Sequence, residues 1–308
     1  MKIAILISAE RGRRCLESLY ACVSNKDEII VFTFNESPWE PEYVKHIEEI
    51  AKNNNSKFYV TSKVHDESFK KIWSQNLDVI IAIGWRYLIP PQVYNSTTKG
   101  CYIFHDSYLP EYRGFGPTVW AIRNDKKYTG VTVFKISEKV DEGPILFQEK
   151  VLIGSEDYIS DILEKVTLKC EDLIKKLYES VKSNNFSLSI QNQNDATYLC
   201  KLTPNDFRIN WKKNSREIFN LIRSYSHPYS GAFAFFEKKK LFIYSAIVEN
   251  IPKHSGYIEG RVMSFNNDSS VTIFCGNSSA LRVISISTDG KKIINPTEII
   301  KSIGDTLE

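Results

Sequence analysis

The sequence predicts an α/β protein with two domains: a doubly wound, mostly parallel sheet in residues 1–200 and a small β-barrel in residues 201–308. Three observations predict it. Short apolar runs alternate with helical periodicity through the first two-thirds of the chain, the order that builds a sheet with helices on both faces. One of those runs, residues 78–84, is almost wholly apolar, as a central parallel strand has to be. Beyond Leu202 the runs shorten and are split by Gly, Asn and Ser turns, the pattern of a small barrel.

Each element has its own reason. Residues 2–8 read as a buried strand, 14–23 as a helix and 28–34 as a second strand. Residues 41–52 predict a helix with Val44, Ile47, Ile50 and Ala51 on one face. A short strand follows at 57–61, then a helix at 66–75 whose acidic start suits the positive end of the helix dipole. After the central strand come a strand at 100–105, a helix at 117–124 and a strand at 130–136. Residues 158–181 predict the longest helix. Its Ile159, Leu163, Val166, Cys170, Leu173, Leu177 and Val181 recur at three- and four-residue spacing, a stripe most simply read as core. Residues 182–185 and 191–195 are polar and read as a linker or loop. Asn214 with Glu217 makes a capping box for a helix carrying Ile218, Leu221 and Ile222. Strands at 232–235, 240–247, 260–264, 271–274 and 280–284 complete the chain.

Composition excludes several classes. A chain of 308 residues suits two domains, and 42% apolar with 25% charged residues is an ordinary soluble balance. A net charge of +3 is no argument for nucleic acid by itself. Six cysteines without a Cys-x-x-Cys pair argue against zinc or a redox motif, and they read as reduced thiols of a cytoplasmic protein. The first apolar run is too short for a signal peptide, and none reaches the roughly 18 residues of a membrane helix. The loop Ser8-Ala9-Glu10-Arg11-Gly12 has one glycine, so the fingerprint of a nicotinamide dinucleotide site is missing, and no Walker lysine loop occurs. The sheet is expected to hold some other ligand, and no metal.

The chemistry concentrates between Gly100 and Gly143. An apolar run ends abruptly at His105 and is followed by Pro110 and Gly114, so His105 reads as the last residue of a strand, facing a cleft at the carboxyl edge of the sheet. The next strand leads to Asp141-Glu142-Gly143. A histidine oriented by a carboxylate is a common acid/base unit. The bland alternative is a strand-end histidine and an unrelated turn aspartate, and the pattern alone does not separate the two.

The run His105-Asp106-Ser107-Tyr108-Leu109-Pro110-Glu111-Tyr112-Arg113-Gly114 resembles the H-x-S-L-L-P-x-Y-R-G signature of the formyltransferase family, which uses N10-formyltetrahydrofolate. Gly130-Val131-Thr132 and Asp141-Glu142-Gly143 resemble its G-V-T and D-x-G, with Pro117 and Trp120-Ala121-Ile122 between them. Residues 83–90 are similar to its G-[WY]-x-x-[IL]-[IL]-P segment, and Pro204, Asp206, Ile209 and Trp211 to the start of its C-terminal domain. The resemblance implies a Rossmann-like catalytic domain and an OB-like barrel. It implies His105 and Asp141 as catalytic, and Trp85, Arg86, Tyr87, Leu88, Val140 and Gly143 as holding N10-formyltetrahydrofolate. Ser107, Arg113, Gly114 and Thr132 would meet the substrate. On the residues alone, Trp85 and Tyr87 read as core aromatics and Arg86 as a solvated cation. Arg113 either holds an anion bidentately or pins its own loop.

One position departs from the family. Its catalytic asparagine, two residues before the histidine, is Ile103 here. Losing one oxyanion donor typically costs about 3–4 kcal/mol. The candidates to replace it are the His105 imidazolium, Thr132, Ser107 and backbone N–H groups.

Two acceptors fit the family: methionyl-tRNA, and amino sugars carried on UDP or dTDP. A tRNA enzyme needs a basic face. The only tight basic cluster, Lys238-Lys239-Lys240, reads as a hairpin tip. The expectation is therefore formyl transfer to a nucleotide-linked amino sugar. Methionyl-tRNA and a non-catalytic folate-binding relative are the alternatives. No membrane partner is expected, and the barrel is free to bind a ligand, support the fold or make a homodimer.

Overall fold

The structure is a computed structural model describing residues 1–36 and 41–308. The chain forms two compact units. The first comprises Met1–Pro117, Tyr128–Leu152 and Leu163–Cys200; the second comprises Thr118–Lys127, Ile153–Ile162 and Lys201–Glu308.

In chain order the elements from the amino terminus are β1 (Lys2–Ile7), α1 (Ala9–Tyr20), β2 (Glu28–Thr33), α2 (Val44–Asn53), β3 (Lys57–Val60), α3 (Lys70–Trp73), β4 (Val79–Ile83), α4 (Pro91–Tyr94) and β5 (Cys101–His105). There follow β6 (Arg113–Gly114), α5 (Pro117–Arg123), β7 (Tyr128–Lys135), β8 (Ile145–Leu152), α6 (Ile159–Ser183) and β9 (Tyr198–Leu199). The main sheet has seven strands in the order β3-β2-β1-β4-β5-β7-β8. The first five are parallel, while β7 and β8 run antiparallel. The chain winds outward from β1 to β3, then outward again from β4, so ligands are favoured at the carboxyl edge near β1 and β4.

Differences from the sequence reading have local causes. Helix α1 begins at Ala9, five residues before the expected start, because Arg13 bridges Glu10 and Glu17 one turn either side, at 2.6 and 2.7 Å. The expected helix at 66–75 is a 3₁₀ turn, Glu67–Phe69, followed by the single turn α3. Strand β8 was not expected. Its Gln148, Glu149 and Lys150 break the apolar run, as they can at an edge strand with solvent alongside. One core layer joins Ala4, Leu6, Ile30, Phe32, Ile80, Ala82 and Cys101 with Trp73, Leu77 and Val93.

In the second unit, α7 (Ser215–Ser224) begins with the expected capping box: Asn214 accepts from the Glu217 amide at 2.9 Å and Glu217 returns the bond. Strands β10 (Ala232–Phe236), β11 (Lys239–Glu249), β12 (Val262–Phe265), β13 (Val271–Cys275) and β14 (Ser279–Ser287) form one antiparallel sheet, ordered β10-β11-β14-β13-β12. The expected OB-like closure is not made by a strand ladder between β10 and β12 among the described residues. Residues 305–308 bond to both edges instead. Phe235 and Glu308 exchange backbone hydrogen bonds of 2.8 Å, and the Leu307 amide donates to the Gly260 carbonyl at 2.8 Å. Within this unit the buried Arg223 donates to the carbonyls of Gly154 and Asp157 and faces Asp125, tying the two earlier segments to residues 201–308. Among the described residues no helix is long and apolar enough to cross a membrane.

Candidate active site

Strand β5 delivers His105 to the carboxyl edge of the main sheet. Thr132 lies opposite it on β7, and Gln148 lies opposite Thr132 on β8. These two neighbours fix the loop that leaves His105. The Thr132 hydroxyl donates to the Ser107 carbonyl at 2.7 Å and accepts from the Leu109 amide at 3.1 Å. Gln148 donates to the Leu109 carbonyl at 2.7 Å, and the Ser107 hydroxyl donates to the Glu111 carbonyl at 2.7 Å. Ser107 and Thr132 are buried. The resemblance places both residues at the substrate; in the structure each hydroxyl donates its hydrogen to a backbone carbonyl of the protein.

His105 is 8% exposed. Its Nε2 lies 2.9 Å from the Tyr112 carbonyl and its Nδ1 lies 3.7 Å from Asp141 Oδ2. A carbonyl only accepts, so in this arrangement Nε2 carries the hydrogen. The same Asp141 oxygen accepts from the Gly114 amide at 2.8 Å. Asp141 has φ +56°, a left-handed conformation that Asp tolerates better than most side chains.

Two glycines make this approach sterically feasible. Gly114 has φ +102°, and a Cβ there would lie 2.6 Å from the Leu199 carbonyl oxygen. A Cβ on Gly143 would lie 1.7 Å from the Lys135 carbonyl oxygen, so the turn closes onto β7 only without a side chain. The resemblance places Gly143 at the cofactor, and in the structure it is buried against β7.

Arg113 has two sequence readings, an anion ligand or a pin for its own loop. It is 0% exposed, and its hydrogen bonds are those of the loop-pinning reading. Its Nε and Nη2 donate to Gln191 at 3.1 and 2.7 Å, and its Nη1 donates to Gln193 at 2.9 Å and to the Tyr198 hydroxyl at 2.8 Å. Sequence reasoning missed Gln191, Gln193 and Tyr198 because they lie in a polar stretch with no periodicity. It also missed Arg11, which forms an ion pair with Asp106, the residue after His105. Burial opposes the charge of Arg11, but Asp106 and smaller neighbouring influences together outweigh it and hold the guanidinium above the ordinary arginine value.

Ile103 shares a sheet face with His105, since alternate residues of a strand point the same way. It packs on Leu109, Phe134 and Ile145.

The segment after β4 begins at Gly84, whose carbonyl accepts from the Ser8 hydroxyl at 2.6 Å. Trp85, Tyr87 and Phe34 form an edge-to-face cluster with centroids 4.9 to 5.8 Å apart, and the Arg86 guanidinium lies 5.6 Å from the Phe34 ring. Trp85 also packs on the core layer around Val93, so it is partly a core aromatic. Its buried indole N–H has no hydrogen-bond partner among the described residues. Leu88 is 81% exposed and Val140 is 60% exposed. The aromatic cluster and the exposed Leu88 that follows it in the chain fit a flat apolar heterocycle. Among the described residues, no group of three or more His, Cys, Asp or Glu could hold a metal ion.

Comparison with known proteins adds the following. The chain matches the family described as formyl transferase over residues 1–177, and formyl transferase, C-terminal domain, over residues 201–304. It is 30% identical over 239 residues to the methionyl-tRNA formyltransferase of Thermodesulfovibrio yellowstonii, covering 77% of this chain and 75% of that protein. It is 31% identical over 240 residues to the methionyl-tRNA formyltransferase of Pelagibacter ubique, covering 78% and 74%. Among solved structures, WlaRD, a sugar 3N-formyl transferase with dTDP and 5-N-formyl-THF, matches with TM-score 0.72 at 21% identity, over 92% of this chain and 97% of that one. An N-formyltransferase from Helicobacter canadensis, in complex with folinic acid and dTDP-3-aminofucose, matches with TM-score 0.72 at 20% identity, over 92% and 98%. At these identities the two structures speak to the fold alone.

Proposed function

The chain belongs to the formyltransferase family, a formyl-transferring group of enzymes, and from that premise we propose that it moves the formyl group of N10-formyltetrahydrofolate onto the amine of a UDP- or dTDP-linked amino sugar. The donor supplies the formyl carbon. Trp85, Arg86, Tyr87, Leu88 and Val140 are assigned to hold it.

The acceptor nitrogen bonds to the formyl carbon as the bond from that carbon to the folate nitrogen breaks. One proton leaves the amine and one reaches the departing nitrogen. His105 serves both transfers, which at a positioned side chain contribute typically 10²–10⁴-fold. When the reacting amine takes the place of the Tyr112 carbonyl, the ring hydrogen sits on Nδ1 toward Asp141 and Nε2 is the free base. Asp141 holds the ring. Ile103 offers no donor, and the Ser107 and Thr132 hydroxyls are spent inside the loop. We therefore assign the oxyanion to the proton that Nε2 has taken from the amine, which then passes to the departing folate nitrogen.

The observation that carries the acceptor class is charge. The chain has 40 Lys and Arg against 37 Asp and Glu. Its one run of three consecutive basic residues, Lys238-Lys239-Lys240, lies at the turn from β10 into β11, with Lys240 Nζ laid over the Phe233 ring at 4.0 Å. That is little support for docking a polyanion. The two curated relatives favour a second reading, methionyl-tRNA, because both are methionyl-tRNA formyltransferases.

The test is to incubate the protein with N10-formyltetrahydrofolate and a panel of UDP- and dTDP-linked amino sugars, and separately with methionyl-tRNA. Mass spectrometry follows one added formyl group, with His105→Ala run in parallel. A formylated sugar that is absent with the variant is expected. Product on methionyl-tRNA and on no sugar would overturn the sugar reading.

A further inference from the structure

Gln191 lies in the polar stretch that the sequence presents as a linker, yet it is 4% exposed. Its amide makes four bonds. Oε1 accepts from Arg113 Nε at 3.1 Å and Nη2 at 2.7 Å. Nε2 donates to the carbonyls of Asp141 at 2.9 Å and Gly143 at 2.7 Å. These partners fix the orientation of the amide, because a flip would set an NH₂ against a guanidinium and an oxygen against two carbonyls.

We propose that Gln191 is a positioning residue for the reaction: it ties the backbone on both sides of Glu142 to the immobile Arg113 guanidinium and so sets the Asp141 carboxylate opposite His105. The inference rests on His105 and Asp141 being the working pair. Arg113 is held in addition by Gln193 and Tyr198, and it also pairs with the Glu142 side chain at 3.5 Å, while Gln191 is the side chain that holds the backbone of the turn on both sides of Glu142. Asp141 is the residue in need of anchoring, since its backbone is held left-handed at φ +56°. The gap it controls is sensitive. At 3.7 Å the His105–Asp141 pair is just beyond hydrogen-bond length. A movement of the turn by about 0.5–1 Å decides whether the pair is bonded. A misplacement on that scale can cost about 10²-fold in rate.

The experiment uses the full chain with Gln191→Glu and Gln191→Ala, each alone and combined with Asp141→Ala. Gln191→Glu keeps an acceptor for Arg113 but turns an oxygen toward the two carbonyls, so it separates the Asp141 tether from the Arg113 contact. Both single variants are expected to lower kcat by about 10- to 100-fold with KM for the formyl donor held within about twofold. In the Asp141→Ala background neither should lower it further. A second readout needs no turnover: in protein labelled with ¹⁵N-glycine, the amide resonance of Gly114 reports its bond to the Asp141 carboxylate. It should move in Gln191→Glu toward its position in Asp141→Ala.

A wild-type kcat with an unmoved Gly114 resonance in Gln191→Glu would overturn the proposal. So would an equal loss of rate in both backgrounds. If Gln191→Ala does not fold, Gln191→Glu decides. Should the wild-type chain formylate no acceptor, the proposed function fails while the Gly114 resonance still decides this inference.

Discussion

Ile103 stands where the resemblance puts a catalytic asparagine. Its side chain meets Leu109, Phe134 and Ile145, so the site has an apolar wall where the resemblance puts an amide. Ile103→Asn would return a donor to the face that carries His105, at the cost of burying an amide among hydrocarbon. The expected outcome is a loss of about 1–3 kcal/mol of stability, read as a lower Tm, together with a higher kcat because the oxyanion gains a second donor. An unchanged kcat at the lower Tm would show that His105 already suffices for the oxyanion. The roles of single residues were unevenly legible. The strand-end position of His105 followed from an apolar run ending at a titratable residue, while its approach to Asp141 did not follow from the pattern and was expected only through the resemblance. The burial of Arg113 did not, because a Pro/Gly loop carries no pattern that distinguishes an arginine facing a ligand from one facing its own backbone.

At the scale of elements, the parallel strands and the capping box of α7 were readable because their signals are local: an unbroken apolar run, and Asn214 three residues before Glu217. Strand β8 and residues 191–199 were not, because one alternates at an edge and the other is ordered by polar side chains reaching distant backbone. The C-terminal sheet shows the same limit. Its strands were readable from their turns, while residues 305–308 bridge its edges by bonds to Phe235, Gly260 and Val262 that no periodicity announces. Leu307, at 2% exposure, anchors that bridge. Leu307→Ala is expected to cost about 2–5 kcal/mol by the usual penalty for emptying a buried leucine site. Denaturant unfolding followed on the C-terminal unit would check this, and a loss under about 0.5 kcal/mol, the range of neutral surface changes, would mean that the edges hold without the bridge.

At the scale of the whole molecule, electrostatics supports the proposed sugar acceptor. With 40 basic and 37 acidic residues, the net charge is +3. Many of the cations are already committed. Arg11 pairs with Asp106, Arg14 with Glu164 and Glu171, and Arg216 with Asp125 and Glu156. A chain of this kind presents little sustained positive field, and counterion release from a phosphate backbone can supply little of its binding energy. A nucleotide sugar brings only a diphosphate, and recognition of so few charges responds weakly to salt. The expected outcome is that kcat/KM for the sugar acceptor falls less than about tenfold between 50 and 200 mM salt, where a protein making six to ten phosphate contacts loses about 10³–10⁵ in affinity. A fall of the larger size would mean that the lysines of the β10–β11 turn and others act together on a polyanion. It would move the assignment to the tRNA acceptor that the curated relatives use, even though no single basic motif in the sequence points there.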